Sequence, residues 1–251
     1  PPSLDRANIR AAIEGSLQRM QTDYIDLYQL HWPERNVPMF GQYQFDPAQE
    51  FENGQQKEWV SIRNQLETLA ELVKEGKVRY IGLSNEQPWG LMEFLRIARE
   101  YDLPRVATVQ NCYNLINRGM EFGMTEVLYR ENIGLLAYSP LAFGLLSGKY
   151  LDGARPADGR LTLFARFTRY NGEHADRAAG EYVALARQHG LDPAQMALAF
   201  VNSRPFVTAN IIGATTMEQL RSNLASVQLK LGEEVLQGIE AIHKRYTIPC
   251  P

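Results

Sequence analysis

His31 closes a short β-rich run, YIDLYQLH over residues 24–31, in the setting Leu30-His31-Trp32-Pro33. An imidazole with a near-neutral pKa suits proton transfer or a hydrogen bond to a reacting oxygen. The C-terminal end of a strand is also where a parallel α/β fold presents its ligand site. A structural histidine bonded to nearby backbone fits the same position. Three further strand ends deliver small polar groups: Ser84-Asn85, Gln110-Asn111 and Tyr138-Ser139-Pro140-Leu141. Amides offer a donor and an acceptor together, which matches a carboxamide, and Tyr138 offers a face for a flat ring. Ser, Asn and Pro are equally ordinary turn residues at strand ends. It is their repetition at consecutive strand ends that favours a binding role.

Gly144-Leu145-Leu146-Ser147-Gly148-Lys149 has some features of a phosphate loop. Its glycines are four apart rather than five, and Tyr150 follows the Lys where a Ser or Thr is required. Lys149 and Arg160 can pair with a phosphate as point charges or stand as solvated loop cations. Gly213-Ala214-Thr215-Thr216 leads into a helix. Thr215 and Glu218 fit a capping box. That helix N-terminus favours an anion, and Gln219 and Asn223 share a face one turn on. The four histidines, His31, His174, His189 and His243, are scattered without metal-ligand spacing, so no metal is expected. There is no GxGxxG and no GxSxG.

Groups so far apart in sequence need a scaffold that gathers strand ends. Helical periodicity marks residues 5–20, with Ile9, Ile13, Leu17 and Met20 on one face, and 59–76, with Ile62, Leu66, Leu69 and Val73. Gly76 ends the second run as a helix stop. Further helices read at 88–101, 119–131, 173–190, 193–203, 216–225 and 233–246, and strands at 24–31, 78–83, 106–110, 133–138 and 207–212. Strands alternating with helices imply a parallel sheet with helical crossovers and both faces covered. No linker interrupts the pattern, so residues 1–251 read as one domain. Two irregular segments, 32–57 and 139–171, follow strand ends, and long loops there usually carry function. An eight-stranded β/α barrel takes about 250 residues, yet five strands are legible. The alternatives are a five-stranded open sheet and a barrel whose first strands precede Pro1.

Composition narrows the partners. A net charge of −3, with 22% charged residues and no block of like charge, argues against nucleic acid. Cys112 and Cys250 are too few for a disulfide framework and read as free thiols in a reducing, cytoplasmic setting. The most apolar stretch, residues 133–148, is broken by Pro140 and is shorter than the ~20 residues of a membrane span. The opening Pro-Pro-Ser-Leu-Asp-Arg has no signal pattern. Electrostatics names no partner, and the oligomeric state is not indicated.

Taken together these segments resemble the aldo-keto reductase family. The resemblance lies in residues 16–20 and 23–33, in Gly76-Lys77-Val78-Arg79-Tyr80-Ile81-Gly82-Leu83-Ser84-Asn85, and in Val109-Gln110-Asn111-Cys112-Tyr113-Asn114. It continues in Ala137-Tyr138-Ser139-Pro140-Leu141, residues 144–150, Ile212-Gly213-Ala214-Thr215-Thr216, Gln219-Leu220 and Asn223-Leu224. The Phe164–Tyr170 segment and the long first loop look like its Tas-like branch, related to potassium-channel β-subunits. The resemblance implies a (β/α)8 TIM barrel with about the last five βα units present, and NADP(H)-dependent reduction of aldehydes and ketones. Of the family's catalytic Asp, Tyr, Lys and His, only the His maps, onto His31. The others belong to strands expected before Pro1, so this chain alone is expected to be inactive and to expose strand edges near 24–31 and 207–212. It further implies that Ser84, Asn85 and Gln110 hold the carboxamide and Tyr138 stacks on the nicotinamide. Ser139, Leu141, Ser147 and Lys149 would follow the pyrophosphate, and Gly213, Thr215, Gln219 and Asn223 the adenosine end, with Arg160 favouring NADPH. The competing implication is a cofactor-loaded regulatory subunit with little turnover.

Overall fold

The computed structural model describes residues 3–250. In chain order its principal elements are α1 (Arg6–Met20), β1 (Ile25–Leu30), β2 (Phe51–Glu52), β3 (Gln55–Gln56), α2 (Ile62–Lys74), β4 (Val78–Ser84), α3 (Pro88–Glu100) and β5 (Val106–Cys112). There follow α4 (Met124–Glu131), β6 (Gly134–Tyr138), α5 (Arg160–Leu163), α6 (Glu173–Gln188), α7 (Pro193–Asn202), β7 (Val207–Ile211), α8 (Met217–Ala225) and α9 (Glu233–Arg245). The chain forms two compact units. The first runs to Pro38 and takes in Gln44–Gln110 and Glu126–Gly134; the second holds Met39–Tyr43, Asn111–Thr125 and the chain from Leu135.

In the first unit β1 pairs parallel with β4, and β4 with β5. α1 and α2 begin where side chains satisfy the first free N–H groups. The Asp5 carboxylate accepts from Asn8 N at 2.9 Å to start α1, and Ser61 Oγ accepts from Asn64 N at 3.1 Å to start α2. The Ser61 cap explains why α2 opens three residues later than periodicity alone indicates. Gly76, at φ +77°, stops it as expected. The buried stripes are Ile9, Ile13 and Leu17 on α1 and Leu66, Leu69 and Leu72 on α2. Met20, expected on the α1 stripe, is exposed, because the next residue already turns left-handed at φ 53°.

In the second unit β6 pairs parallel with β7. Asp192 caps α7 through Gln195 N at 2.8 Å, with Pro193 in the first turn. Phe200 of α7, Tyr182 of α6 and Ile239 of α9 are among its fully buried side chains.

Five parallel strands alternating with helices match the strand count read from the sequence. Three expectations need correction. The strands are not all covered on both faces: β1 and β7 carry exposed positions, and each has one strand neighbour among the described residues. Neither long segment is wholly irregular: in 32–57 Pro47–Glu50 forms a 3-10 turn and β2 pairs antiparallel with β3, and 139–171 holds 3-10 turns at Ala142–Ser147 and Leu151–Gly153 and the short α5. The 119–131 helix is split, Gly119–Glu121 being a 3-10 turn that ends before Gly123 at φ +109°.

Candidate functional site

The first unit brings together four of the residues singled out in the sequence. Ser84 ends β4 and is buried. Its Oγ donates to the Gln110 carbonyl at 2.8 Å, which also accepts Asn85 N at 3.0 Å. Two donors on one carbonyl lock the ends of adjacent strands together. Asn85 itself stands at φ 54°, a left-handed conformation that Asn tolerates better than most residues. The turn aims its side chain across β1: Nδ2 donates to the His31 carbonyl at 2.8 Å. His31 is exposed, and its ring lies against Trp32 at 4.4 Å between centroids. Gln110 is oriented by a residue the sequence reading passed over. Gln29 Nε2 donates to Gln110 Oε1 at 2.9 Å. Period-2 alternation could have found Gln29, since it shares a strand face with His31 two residues on. Gly82 makes this face possible: a Cβ there would lie 2.6 Å from Thr108 Oγ1 and 3.0 Å from Gln29 Cγ.

The second unit groups Tyr138, Ser139, Leu141, Ser147, Lys149 and Arg160 around one irregular segment. The phenol of Tyr138 accepts from Arg169 Nη1 at 3.3 Å. Burial pushes its pKa up, nearby Cys112 adds to this, and Arg169 opposes it. The phenol therefore stays neutral, and what Tyr138 has to offer is its ring. Ser139 adopts φ 57° directly after β6, and Asn114 Nδ2 donates to its carbonyl at 2.9 Å. Asn114 is fully buried, also donates to Tyr170 Oη at 3.1 Å, and accepts from Ile116 N at 3.0 Å. Leu141 takes Gly144 N on its carbonyl at 2.8 Å, and Ser147 Oγ donates to the Gly144 carbonyl at 2.7 Å. The loop is thus wound around Gly144 and Gly148, at φ +95° and +81°, where a Cβ is costly. Lys149 is exposed, with its Nζ 5.3 Å from the centre of the Tyr150 ring. Arg160 lies over Phe143 and Phe167 at 5.4 and 5.2 Å. The sequence reading missed Asn114 and Arg169. Nothing local marks their bonds to Ser139 and Tyr138, which lie 25 and 31 residues away in sequence.

Gly213, Thr215, Gln219 and Asn223 meet at the start of α8. The cap is shifted by one residue from the expected Thr215–Glu218 pair. Thr216 Oγ1 accepts from Gln219 N at 3.2 Å, while Gln219 Oε1 accepts Thr215 N at 2.9 Å. The reason is register: the first helical residue is Met217, so Thr216 is the cap, and Gln219 reaches back past it to Thr215 instead of closing a box on the cap itself. Asn223 Nδ2 donates to the Gly213 carbonyl at 3.1 Å.

Residues 1–244 match the Aldo/keto reductase family. The chain belongs to that family. Protein tas of Escherichia coli (strain K12) is 52% identical over 254 residues, covering 99% of this chain and 70% of that protein. An aldo-keto reductase of Babesia bovis is 41% identical over 255 residues, covering 98% and 90%. L-glyceraldehyde 3-phosphate reductase of Escherichia coli (strain K12) is 30% identical over 231 residues, covering 88% and 59%. Aldo-keto reductases thus supply the oxidoreductase setting for the strand-end groups described above. No helix among the described residues is long and apolar enough to cross a membrane.

Proposed function

We propose that this aldo-keto reductase chain carries the nicotinamide-holding and carbonyl-polarising groups of an NADP(H)-dependent reductase of aldehydes and ketones, built on the (β/α)8 barrel of its family. The observation that supports this most is the amide cluster of the first unit. Gln110, steadied by Gln29, stands with Ser84 and Asn85 at the C-terminal ends of adjacent parallel strands. A carboxamide needs a donor and an acceptor in fixed positions, and this set supplies both. Reduced nicotinamide bound there would supply the hydride for a carbonyl carbon. His31 donates a hydrogen bond to the carbonyl oxygen and orients it as charge develops. Tyr138 contributes a neutral ring face for stacking. Ser139, Leu141, Ser147 and Lys149 would hold the pyrophosphate, and Gly213, Thr215, Gln219 and Asn223 the adenosine. Arg160 supplies the charge that favours a 2′-phosphate, and hence NADPH over NADH. A reducing cytoplasm suits the two free thiols, Cys112 and Cys250.

NADPH titration of the full-length protein, with a parallel assay of a generic aldehyde, tests the reading. His31→Ala should lower turnover on the order of 100-fold while changing NADPH affinity less than about threefold. Equal losses in both would remove the role given to His31. Tight NADPH binding without turnover would favour the regulatory-subunit alternative, and absence of binding would end the proposal.

A further inference from the structure

Three consecutive side chains after β4 reach across to the segment that follows β1. Asn85 Nδ2 donates to the His31 carbonyl at 2.8 Å. The Glu86 carboxylate takes both arms of Arg35, Nη1 at 3.0 Å and Nη2 at 2.5 Å. Gln87 Nε2 donates to the Pro38 carbonyl at 3.1 Å. Residues 85, 86 and 87 thus hold residues 31, 35 and 38 in the same order. We propose that this triplet is a clasp that positions His31, and that the Arg35–Glu86 pair is its decisive member. The proposal rests on the role given to His31 above; Arg35 and Glu86 act as positioning residues through the backbone of the segment that carries His31.

The middle tie is a poor device for stability alone. The Glu86 side chain is 2% exposed and that of Arg35 17%, so both charges are taken largely out of water. Desolvation of such a pair commonly cancels its attraction, and well-packed apolar residues serve a core as well or better. What a buried pair adds is direction. A guanidinium fork on a carboxylate fixes distance and angle together. The carboxylate is itself aimed, because Glu86 Oε1 also accepts Gln87 N at 2.6 Å just before α3. The fold makes room for the pair at some cost to α3. Gly90 lies within that helix, where glycine is unfavourable. A Cβ on it would stand 2.2 Å from Arg35 Nη2 and 2.4 Å from Glu86 Oε1. The Trp89 ring supports the guanidinium from 5.2 Å. A cavity of about 180 Å³, lined by Trp32, Trp59 and Trp89 among others, adjoins the pair. Packing there is incomplete, so the polar ties carry more of the burden of fixing this segment. His31 is exposed and gains its position from the backbone that the clasp holds.

The test compares Arg35→Met, Glu86→Gln and the double variant R35M/E86Q with the unmodified protein, and with Arg79→Gln as control. Arg79 pairs with Asp26 on the exposed face of the same unit. Each single change strands a buried polar partner and should lower Tm clearly. The double variant leaves no unpaired charge, and Gln keeps the acceptor for Gln87 N, so most of the lost Tm should return. Its aldehyde turnover should nonetheless stay at least about 10-fold down, since small misplacements of a catalytic group are that costly. NADPH affinity should stay within about threefold. NMR of ¹³C-labelled histidine, assigned by subtraction with His31→Ala, should show the His31 imidazole signal displaced in the double variant and unmoved in Arg79→Gln. Recovery of both Tm and turnover in the double variant would reduce the pair to a structural role. Should the unmodified full-length protein lack turnover, the function assigned above fails, and the His31 signal still decides. An unmoved signal in R35M/E86Q overturns the clasp. Gly90→Ala, which crowds the pair without removing a charge, should displace the same signal.

Discussion

The rims of the two units solve one problem in opposite ways. In each, a polar residue directly after a strand takes a left-handed conformation, Asn85 at φ 54° and Ser139 at φ 57°. In the first unit the chain enters α3 within three residues, and the strained residue secures itself by its own side chain on His31. In the second the chain continues through a long loop with further left-handed residues at Ala142, Phe143, Gly144 and Gly148, and the anchor is external, a fully buried Asn114. A self-anchored turn is local and stiff. An externally anchored one depends on the packing of a remote residue and can carry a longer, more adaptable segment.

The largest effect is expected from Asn114→Ala. It leaves Ile116 N without its acceptor and takes one hydrogen bond each from the Ser139 carbonyl and Tyr170 Oη, which keep Ala142 N and Cys112 Sγ, all in a buried setting. Removing such partners should cost about 3 kcal/mol, measurable by urea unfolding; a loss below about 1 kcal/mol would mean that Ser139 needs no external anchor. Asn85→Ala should cost less, about 1–2 kcal/mol, from one lost bond and an L-residue without a polar side chain at positive φ. Its main effect should be weaker NADPH binding, about 10-fold. Asn85→Gly should recover stability but not affinity, and recovery of both would place the role of Asn85 in its backbone alone.

The smallest effect is alkaline. In the second unit, burial pushes the Cys250 thiol up to about 12 and raises Tyr170 well above the usual phenol range. For a thiol held protonated by the fold, stability is complete below the unfolded value, near 9, and falls as pH rises from there toward about 12. The three tryptophans, Trp32, Trp59 and Trp89, all lie in the first unit. Circular dichroism should therefore change at lower pH than tryptophan emission, and Cys250→Ala should narrow the gap. Coincident curves in the parent protein would show that both rims loosen together.

Much of this was legible beforehand because it is written locally. The stop at Gly76 and five short β-rich runs follow from residue types over spans of a few positions. The strand-end amides were visible for the same reason. The cap at Thr216 escaped by one residue, since two adjacent threonines present the same signal and only the helix start chooses between them.

By itself, then, the chain determined its alternation of strands and helices and which polar groups close each strand, because hydrophobic period and capping chemistry act between near neighbours. Only tertiary structure decided what holds those groups: Gln29 on Gln110, Asn114 on Ser139, Arg35 on Glu86. These partners are separated by 81, 25 and 51 positions. A hydrogen bond depends on a few tenths of an ångström and on angle, and no property of either residue alone sets that geometry until strand pairing has brought them within reach.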